Sequence, residues 1–333
     1  MAEPRRAPER RIGAESNGTS LGRRPATPVV LRKETSCAMA VGWLLDGDMF
    51  DGYRDELVAA IHKQGHDVKL IHAPSPPFRW DDIGCSYRET FPKDACVISH
   101  GDIELVTRIH RERRWTPGAF ATVENFFCSH YACWYGGFLL NREYAMLPFG
   151  ELDRCKDFLF DTFGRDDRVF IRPDSPLKLF TGQVAGRDTF PADLEFMAFY
   201  EFPPNTLVVV SSPKEIANEW RFVVANGTVI AGCQYKNGAD LDYQPRYDHN
   251  AYELAKSIAS IEYEPDPVWV MDICKTLAGD YHLLEIGGFS FADLYACNMN
   301  DVVAGVSATA QAVWEKSQNK MLDRSRGYGP RKW

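Results

Sequence analysis

Asp272 and Glu285 occupy matching places in two apolar runs, Val268-Trp-Val-Met-Asp272-Ile and His282-Leu-Leu-Glu285-Ile-Gly-Gly288, joined by a polar stretch that contains Ala278-Gly279. Both runs read as strands by length and apolar content. A turn centred on Ala278-Gly279 sets the two acids directly opposite each other across the ladder. Directly opposed residues have Cβ atoms roughly 5 Å apart, and like charges there are destabilising. At an effective dielectric of about 20 the repulsion is on the order of 3 kcal/mol. A divalent cation converts that penalty into a site, because hard cations seek clustered carboxylate oxygens. The plainer alternative is a solvated acidic pair at a sheet edge.

Cations stand upstream of the acids. Phe170-Ile-Arg172-Pro173-Asp-Ser-Pro-Leu-Lys178-Leu-Phe-Thr-Gly182 places Arg172 at a strand end and Lys178 beyond a turn-prone loop. Fixed cations beside a loop rich in N–H groups suit a polyphosphate. Glu219-Trp-Arg221-Phe-Val-Val-Ala, then Asn226-Gly227, then Thr228-Val-Ile-Ala-Gly-Cys-Gln234, is the clearest hairpin in the chain, since Asn-Gly is the strongest two-residue turn signal. Continued without interruption, its register puts Glu219 opposite Gln234 and Arg221 opposite Gly232. Trp220, Phe222 and Val224 form the expected core face, and Arg221 gains open space over the glycine, as a ligand-facing arginine needs. A surface arginine is the commoner alternative.

These residues need elements to position them. Ala40–Leu45, Asp67–Ile71 and Ala95–Ser99 read as strands, with helices over 51–64 and 102–114. The resulting β-α-β unit implies a parallel sheet. Pro74–Pro77 reads as a break. Residues 115–148 are rich in aromatic side chains, more in keeping with packing than with base stacking, and carry no clear period. A second block begins near Glu151: a helix over 152–162, a strand over Arg168–Arg172, and an apolar strand, Thr206–Val210, leading into Ser211-Ser212-Pro213. A helix over 249–258 and a closing helix over 302–316 flank the acidic hairpin. His100, after the third strand, lies where open α/β sheets bind ligands. Lys236 opens a charged loop that ends at Tyr247. Both are weak substrate-site expectations.

Composition bounds the function. The 333 residues are too many for one ordinary core and suit two or three packed subdomains. Nine scattered cysteines, odd in number and without a Cys-x-x-Cys, argue against a disulfide framework or zinc site and for a reducing, cytoplasmic location. No run approaches the roughly 20 apolar residues of a membrane span. Residues 1–36 carry eight Arg/Lys against four Glu and lack hydrophobic periodicity, so an Arg-rich disordered tail is expected there. The remaining chain holds 30 basic and 42 acidic residues, which argues against nucleic-acid binding as its main task.

The succession of Val169-Phe-Ile-Arg-Pro-Asp-Ser-Pro-Leu-Lys-Leu-Phe-Thr-Gly182, Glu219-Trp-Arg-Phe-Val-Val224 and Asp272…Leu284-Glu-Ile286 resembles the ATP-grasp superfamily, within it the subgroup that reads Arg-Pro…Lys at the phosphate contacts. The order of elements matches over roughly 38–315. The resemblance implies an α/β fold: an N-terminal parallel-sheet domain (37–150), then two α+β subdomains (151–210 and 211–318) clasping ATP, with a flexible tail over 319–333. It implies that Arg172 and Lys178 contact the α- and β-phosphates. The backbone of Val209, Val210, Ser211 and Ser212 would edge the adenine between Phe170 and Ile286. Glu219 would reach the ribose or orient Arg221, and Arg221 would approach the γ-phosphate. Asp272 and Glu285 would hold Mg2+. The implied activity is carboxylate–amine ligation through an acyl phosphate, on small-molecule or peptide substrates, with Arg221 and Lys178 as the catalytic cations. A phosphotransferase on the same scaffold and a catalytically silent partner-binding module are the alternatives. Two departures stand out. The family's metal strand usually reads Glu-x-Asn, and this chain has Gly287 at the Asn place, leaving Ser290, Asp293, Asn298 or water to complete the metal shell. The phosphate loop is poor in glycine and stiffened by Pro173 and Pro176.

Overall fold

The computed structural model describes residues 40–72, 86–177, 179–199 and 201–326. The Arg-rich head, the Pro74–Pro77 break and Lys178 therefore lie outside the described residues. The first layer runs Gly42–Asp46 (β1), Arg54–Lys63 (α1), Asp67–Ile71 (β2), Cys96–His100 (β3), Ile103–Glu112 (α2), Thr116–Gly118 (β4) and Cys128–Tyr135 (α3). Its sheet has the order β2-β1-β3-β4 with every neighbouring pair parallel, as the β-α-β pattern requires. Asp102 caps α2, its carboxylate accepting from the N–H groups of Glu104 and Leu105.

Tyr144–Pro148 (β5), Lys156–Phe163 (α4), Arg168–Pro173 (β6), Gln183–Gly186 (β7), Phe190–Ala198 (α5) and Leu207–Ser211 (β8) follow. Their sheet is antiparallel, ordered β5-β8-β6-β7, and closes a separate core with Leu159, Phe160 and Phe190 from the two helices. The aromatic stretch 115–148 thus supplies β4, α3 and β5. The short strands have too few residues to show a period, and on α3 Tyr131 and Tyr135 are buried while Trp134 is exposed.

The third sheet uses Ile216–Ala225 (β9), Thr228–Asn237 (β10) and Asp240–Gln244 (β11), then His249–Ala259 (α6), Val268–Thr276 (β12) and Tyr281–Gly288 (β13), before the closing helix Met299–Arg326 (α7). The order is β11-β10-β9-β12-β13, antiparallel throughout. Alternate residues of β9 enter two different cores. Trp220, Phe222 and Val224 pack with α3 and α6, whereas Val223 and Ala225 pack with α7 and one face of the first sheet. The central strands β9 and β12 are buried along most of their length, so their polar residues stand out as exceptions inside apolar surroundings. Helix α7 extends through Arg326, well beyond the expected end at 316, so 319–326 is helix and not a flexible tail.

Bulges correct the expected register. The Asn226-Gly227 turn forms, with φ +47° and +68°, as a type I′ turn requires. Ile230 and Tyr235 then drop out of the β9–β10 pairing. Arg221 consequently faces Cys233, and Glu219 faces Lys236; Gly232 lies opposite Phe222. The expected open space over Arg221 does not come from a glycine. In the acidic hairpin Asp272 does pair with Glu285. It does so by two compensating departures: Thr276 and Asp280 close a loop one residue longer than expected, and the unpaired Leu284 restores the offset.

Candidate active site

A cleft of about 490 Å³ lies between the second and third sheets, within the range of small-molecule sites. Arg172, Glu219, Arg221, Lys236, Asp272 and Glu285 all line it, as do Phe170 and Ile286. The structure therefore brings together most of the side chains the sequence singled out. Bulges help to do this, as they often do beside functional sites. Tyr235, the unpaired residue, donates to Glu219 Oε2 at 2.5 Å and to Asp272 Oδ2 at 3.2 Å, while its neighbour Lys236 reaches Glu219 Oε1 at 3.2 Å. The bulge puts two consecutive side chains on one carboxylate. Leu284 and Glu285 likewise both line the cleft.

Two arginines organise the charge. Arg221 and Asp272 are register partners on β9 and β12. Arg221 Nε donates to Oδ1 at 2.8 Å and Nη2 to Oδ2 at 2.7 Å, a bidentate pair in which Asp272 is 2% and Arg221 7% exposed. Burial pushes the Asp272 carboxyl up, and the Arg221 guanidinium pulls it back. The guanidinium also lies over the rings of Tyr295 at 4.8 Å and Tyr235 at 5.7 Å, which stack on each other at 4.7 Å. Burial and the neighbouring Asp272 and Glu219 charges push the Tyr235 phenol well above its ordinary range, so it stays a donor. Arg172, at the end of β6, donates to Glu285 Oε2 at 2.8 Å. Just beyond it, Asp174 holds the start of α3, accepting from Ser129 N–H and Oγ at 2.7 Å each.

The nucleotide fit rests on several features of the chain. Ser211 Oγ, at the end of β8 and opposite Phe170, is buried and has no hydrogen-bond partner among the described residues. Val209, Val210 and Ser212 are buried around it, and Phe170 and Ile286 face the cleft from different sheets. A Cβ on Gly182 would stand 2.7 Å from the Phe170 ring, so this close approach requires glycine. The two carboxylates fit Mg2+ in number and type, since that ion typically takes one or two protein carboxylates and fills its shell with phosphate and water. Among the described residues no group of three acid, His or Cys side chains is placed to hold a metal. At Gly287 a Cβ would make only ordinary contact with Val270, so the place of a further ligand is left open and not blocked.

The three proposed substitutes separate cleanly. Asn298 Oδ1 accepts from Asn300 and Asp301 N–H at the start of α7. Ser290 is fully buried, and its Oγ accepts from Phe120 N–H. Asp293 alone of the three lines the cleft. His100 is 2% exposed and does not line this cleft. Tyr235, Tyr295 and the Asp293 backbone were not legible as site residues, because tyrosine carries no spacing signal and their placement depends on a bulge and a loop.

Residues 152–304 match the family described as an ATP-grasp domain of the R-2-K clade, family 2. Among curated proteins none matches the chain. Among solved structures, D-cycloserine synthetase DcsG superposes with a TM-score of 0.56 at 12% identity, covering 81% of this chain and 100% of that one. N5-carboxyaminoimidazole synthetase from Staphylococcus aureus, complexed with ADP, gives 0.52 at 8%, covering 80% and 77%. D-alanine–D-alanine ligase from Bacillus anthracis, complexed with ATP, gives 0.50 at 12%, covering 84% and 100%. A parallel sheet followed by two antiparallel sheets that enclose a charged cleft is the ATP-grasp fold. The chain therefore carries an ATP-grasp domain over 152–304 and has the ATP-grasp fold, and the neighbours named here are ligases or synthetases. No helix among the described residues is long and apolar enough to cross a membrane.

Proposed function

We propose that the chain is an ATP-dependent carboxylate–amine ligase working through an acyl phosphate. The observation that carries this reading is the meeting of Arg172 from the second sheet with Arg221, Asp272 and Glu285 from the third across one cleft. A free carboxylate is a poor electrophile because oxide is a poor leaving group. Attack of a carboxylate oxygen on the γ-phosphorus, with ADP leaving, gives an acyl phosphate. An amine nitrogen then attacks the acyl carbon, phosphate leaves, and the nitrogen loses its proton. Catalysis of this kind is alignment and charge neutralisation, and requires no nucleophilic side chain. Arg172 would hold the nucleotide phosphates and Arg221 the transferred group, with Lys178 as a further phosphate contact. The Ser211–Ser212 backbone would edge the adenine between Phe170 and Ile286, and Glu219 would bind the ribose or hold Lys236 toward the acceptor. Asp272 and Glu285 would hold Mg2+, which supplies charge neutralisation at the phosphate oxygens.

The second reading, a catalytically silent module that binds a partner, draws on one observation: Arg221 occupies both Asp272 oxygens, and Gly287 offers no side chain. Calorimetric titration of ATP, with and without Mg2+, into wild type and Glu285→Gln separates the two. Magnesium-dependent binding that the substitution removes supports the ligase. Folded wild type that binds no ATP favours the silent module. Release of ADP that needs an acid but no amine points to the phosphotransferase.

A further inference from the structure

One peptide group joins Arg221 to the first sheet. Arg221 Nη1 donates to the carbonyl oxygen of Asp293 at 2.7 Å. The N–H of the same peptide unit, that of Leu294, donates to the hydroxyl oxygen of Tyr53 at 3.2 Å. Tyr53, in the turn before α1, stands 3.0 Å from His100 Nε2 at the end of β3. With Leu294 N–H donating to its oxygen, the Tyr53 hydroxyl keeps its proton for His100 Nε2, a direction that requires the neutral Nδ1–H tautomer. Burial pushes the His100 imidazolium down to about 4, which keeps Nε2 an acceptor at neutral pH. His100 itself is clamped between Phe50 at 4.7 Å and Phe289 at 5.3 Å. His100, Tyr53 and Leu294 are buried.

We propose that Tyr53 and His100 are positioning residues that fix Arg221 through the Asp293–Leu294 peptide, so that the first sheet sets the aim of the cleft's buried arginine. Each link polarises the next. Donation from Tyr53 to His100 makes the phenol oxygen a better acceptor for Leu294 N–H, and that in turn makes the Asp293 carbonyl a better acceptor for the guanidinium. Neither Tyr53 nor His100 lines the cleft, so both act only through the peptide. Asp272 and the two tyrosine rings hold the guanidinium plane; the Asp293 carbonyl takes Nη1, which Asp272 leaves free. The consequence for MgATP rests on the proposed function, whereas the geometry does not.

The test uses the full chain without nucleotide and follows the Nε–H resonance of Arg221, assigned by its loss in Arg221→Lys. Tyr53→Phe keeps the ring and removes the hydroxyl, and it is expected to shift this resonance and speed its solvent exchange. Tyr87→Phe serves as control, because that buried phenol donates to Glu112 in the same layer, away from the cleft. An Arg221 resonance in Tyr53→Phe that superimposes on wild type overturns the proposal. His100→Gln retains an acceptor for the phenol and His100→Leu does not. The leucine variant should move the resonance and the glutamine variant restore it, and identical spectra for the two also overturn the proposal. That pair decides the matter where Tyr53→Phe does not fold. MgATP titration of the same proteins should show affinity in Tyr53→Phe weakened on the order of tenfold, the usual scale for one lost hydrogen bond to a charged-group network. If wild type binds no MgATP, the ligase reading fails and the resonance alone decides the relay.

Discussion

The cleft holds two arginine–carboxylate pairs built in different ways. Arg221–Asp272 joins register neighbours within one sheet, makes two hydrogen bonds, and leaves its side chains 9% and 2% exposed. Arg172–Glu285 joins β6 to β13 across the gap between sheets, through one bond of 2.8 Å, with side chains 20% and 34% exposed. The first pair is a product of folding, since strand register brings the partners together. The second exists only while two sheets approach each other. A buried pair is costly to break because the survivor is left as an uncompensated charge. A half-exposed pair has water to fall back on and contributes little. Charge pairs of the same type thus separate into a fixed wall and an opening one.

The largest test breaks the buried pair. Asp272→Asn or Arg221→Met should lower stability by about 3–5 kcal/mol, read as a loss in thermal or denaturant unfolding. A loss below about 1 kcal/mol would put this pair in the same class as the exposed one. Next comes acid sensitivity on the buried side. The folded-state pKa of His100, pushed down by burial to about 4, lies below its ordinary value, so the unfolded chain takes the proton first. Stability from this group is intact above about pH 6.5 and falls as pH drops toward 4, by about 3 kcal/mol in all. The reading is the difference between wild type and His100→Gln over that window. Asp266, pushed up to about 7 by burial, titrates there with the opposite sign and drops out of the difference. Smaller still, Glu285→Gln should cost under about 1 kcal/mol of folding stability, yet remove magnesium-dependent ATP binding. The smallest effect sharpens the contrast: raising salt from about 0.05 to 0.5 M should weaken the Arg172–Glu285 coupling in a double-mutant cycle and leave Arg221–Asp272 nearly unchanged.

Much of this arrangement was legible in the residue order. Local signals did well: the β-α-β start, the Asn226-Gly227 turn, and the two acids on one hairpin were all readable from periods and turn chemistry. Nonlocal pairing was not. Nothing in the order of residues says that β12 lies beside β9, so the partner of Asp272 on that side stayed hidden until the sheet was assembled. Bulges were equally hidden. They show in a sequence as a break in alternation, but strands buried on both faces have little alternation to break. Ile230 and Tyr235 therefore moved Glu219 and Arg221 to unexpected partners, and the Asp272–Glu285 opposition was reached through two errors that cancelled.

The bulge has a consequence for how this hairpin can change over time. Thr276 and Asp280 close the tip loop Leu277–Gly279, and the unpaired Leu284 lies between that closure and the acids. A deletion inside the tip shortens the loop and leaves every pair outside the closure in place, so Asp272 and Glu285 stay opposed. A deletion in the β12 arm between Asp272 and Thr276, or an insertion in the β13 arm between Asp280 and Glu285, instead slides Glu285 off Asp272 and presents a neighbour. Changes of length should therefore be tolerated at the tip and rejected in those arms.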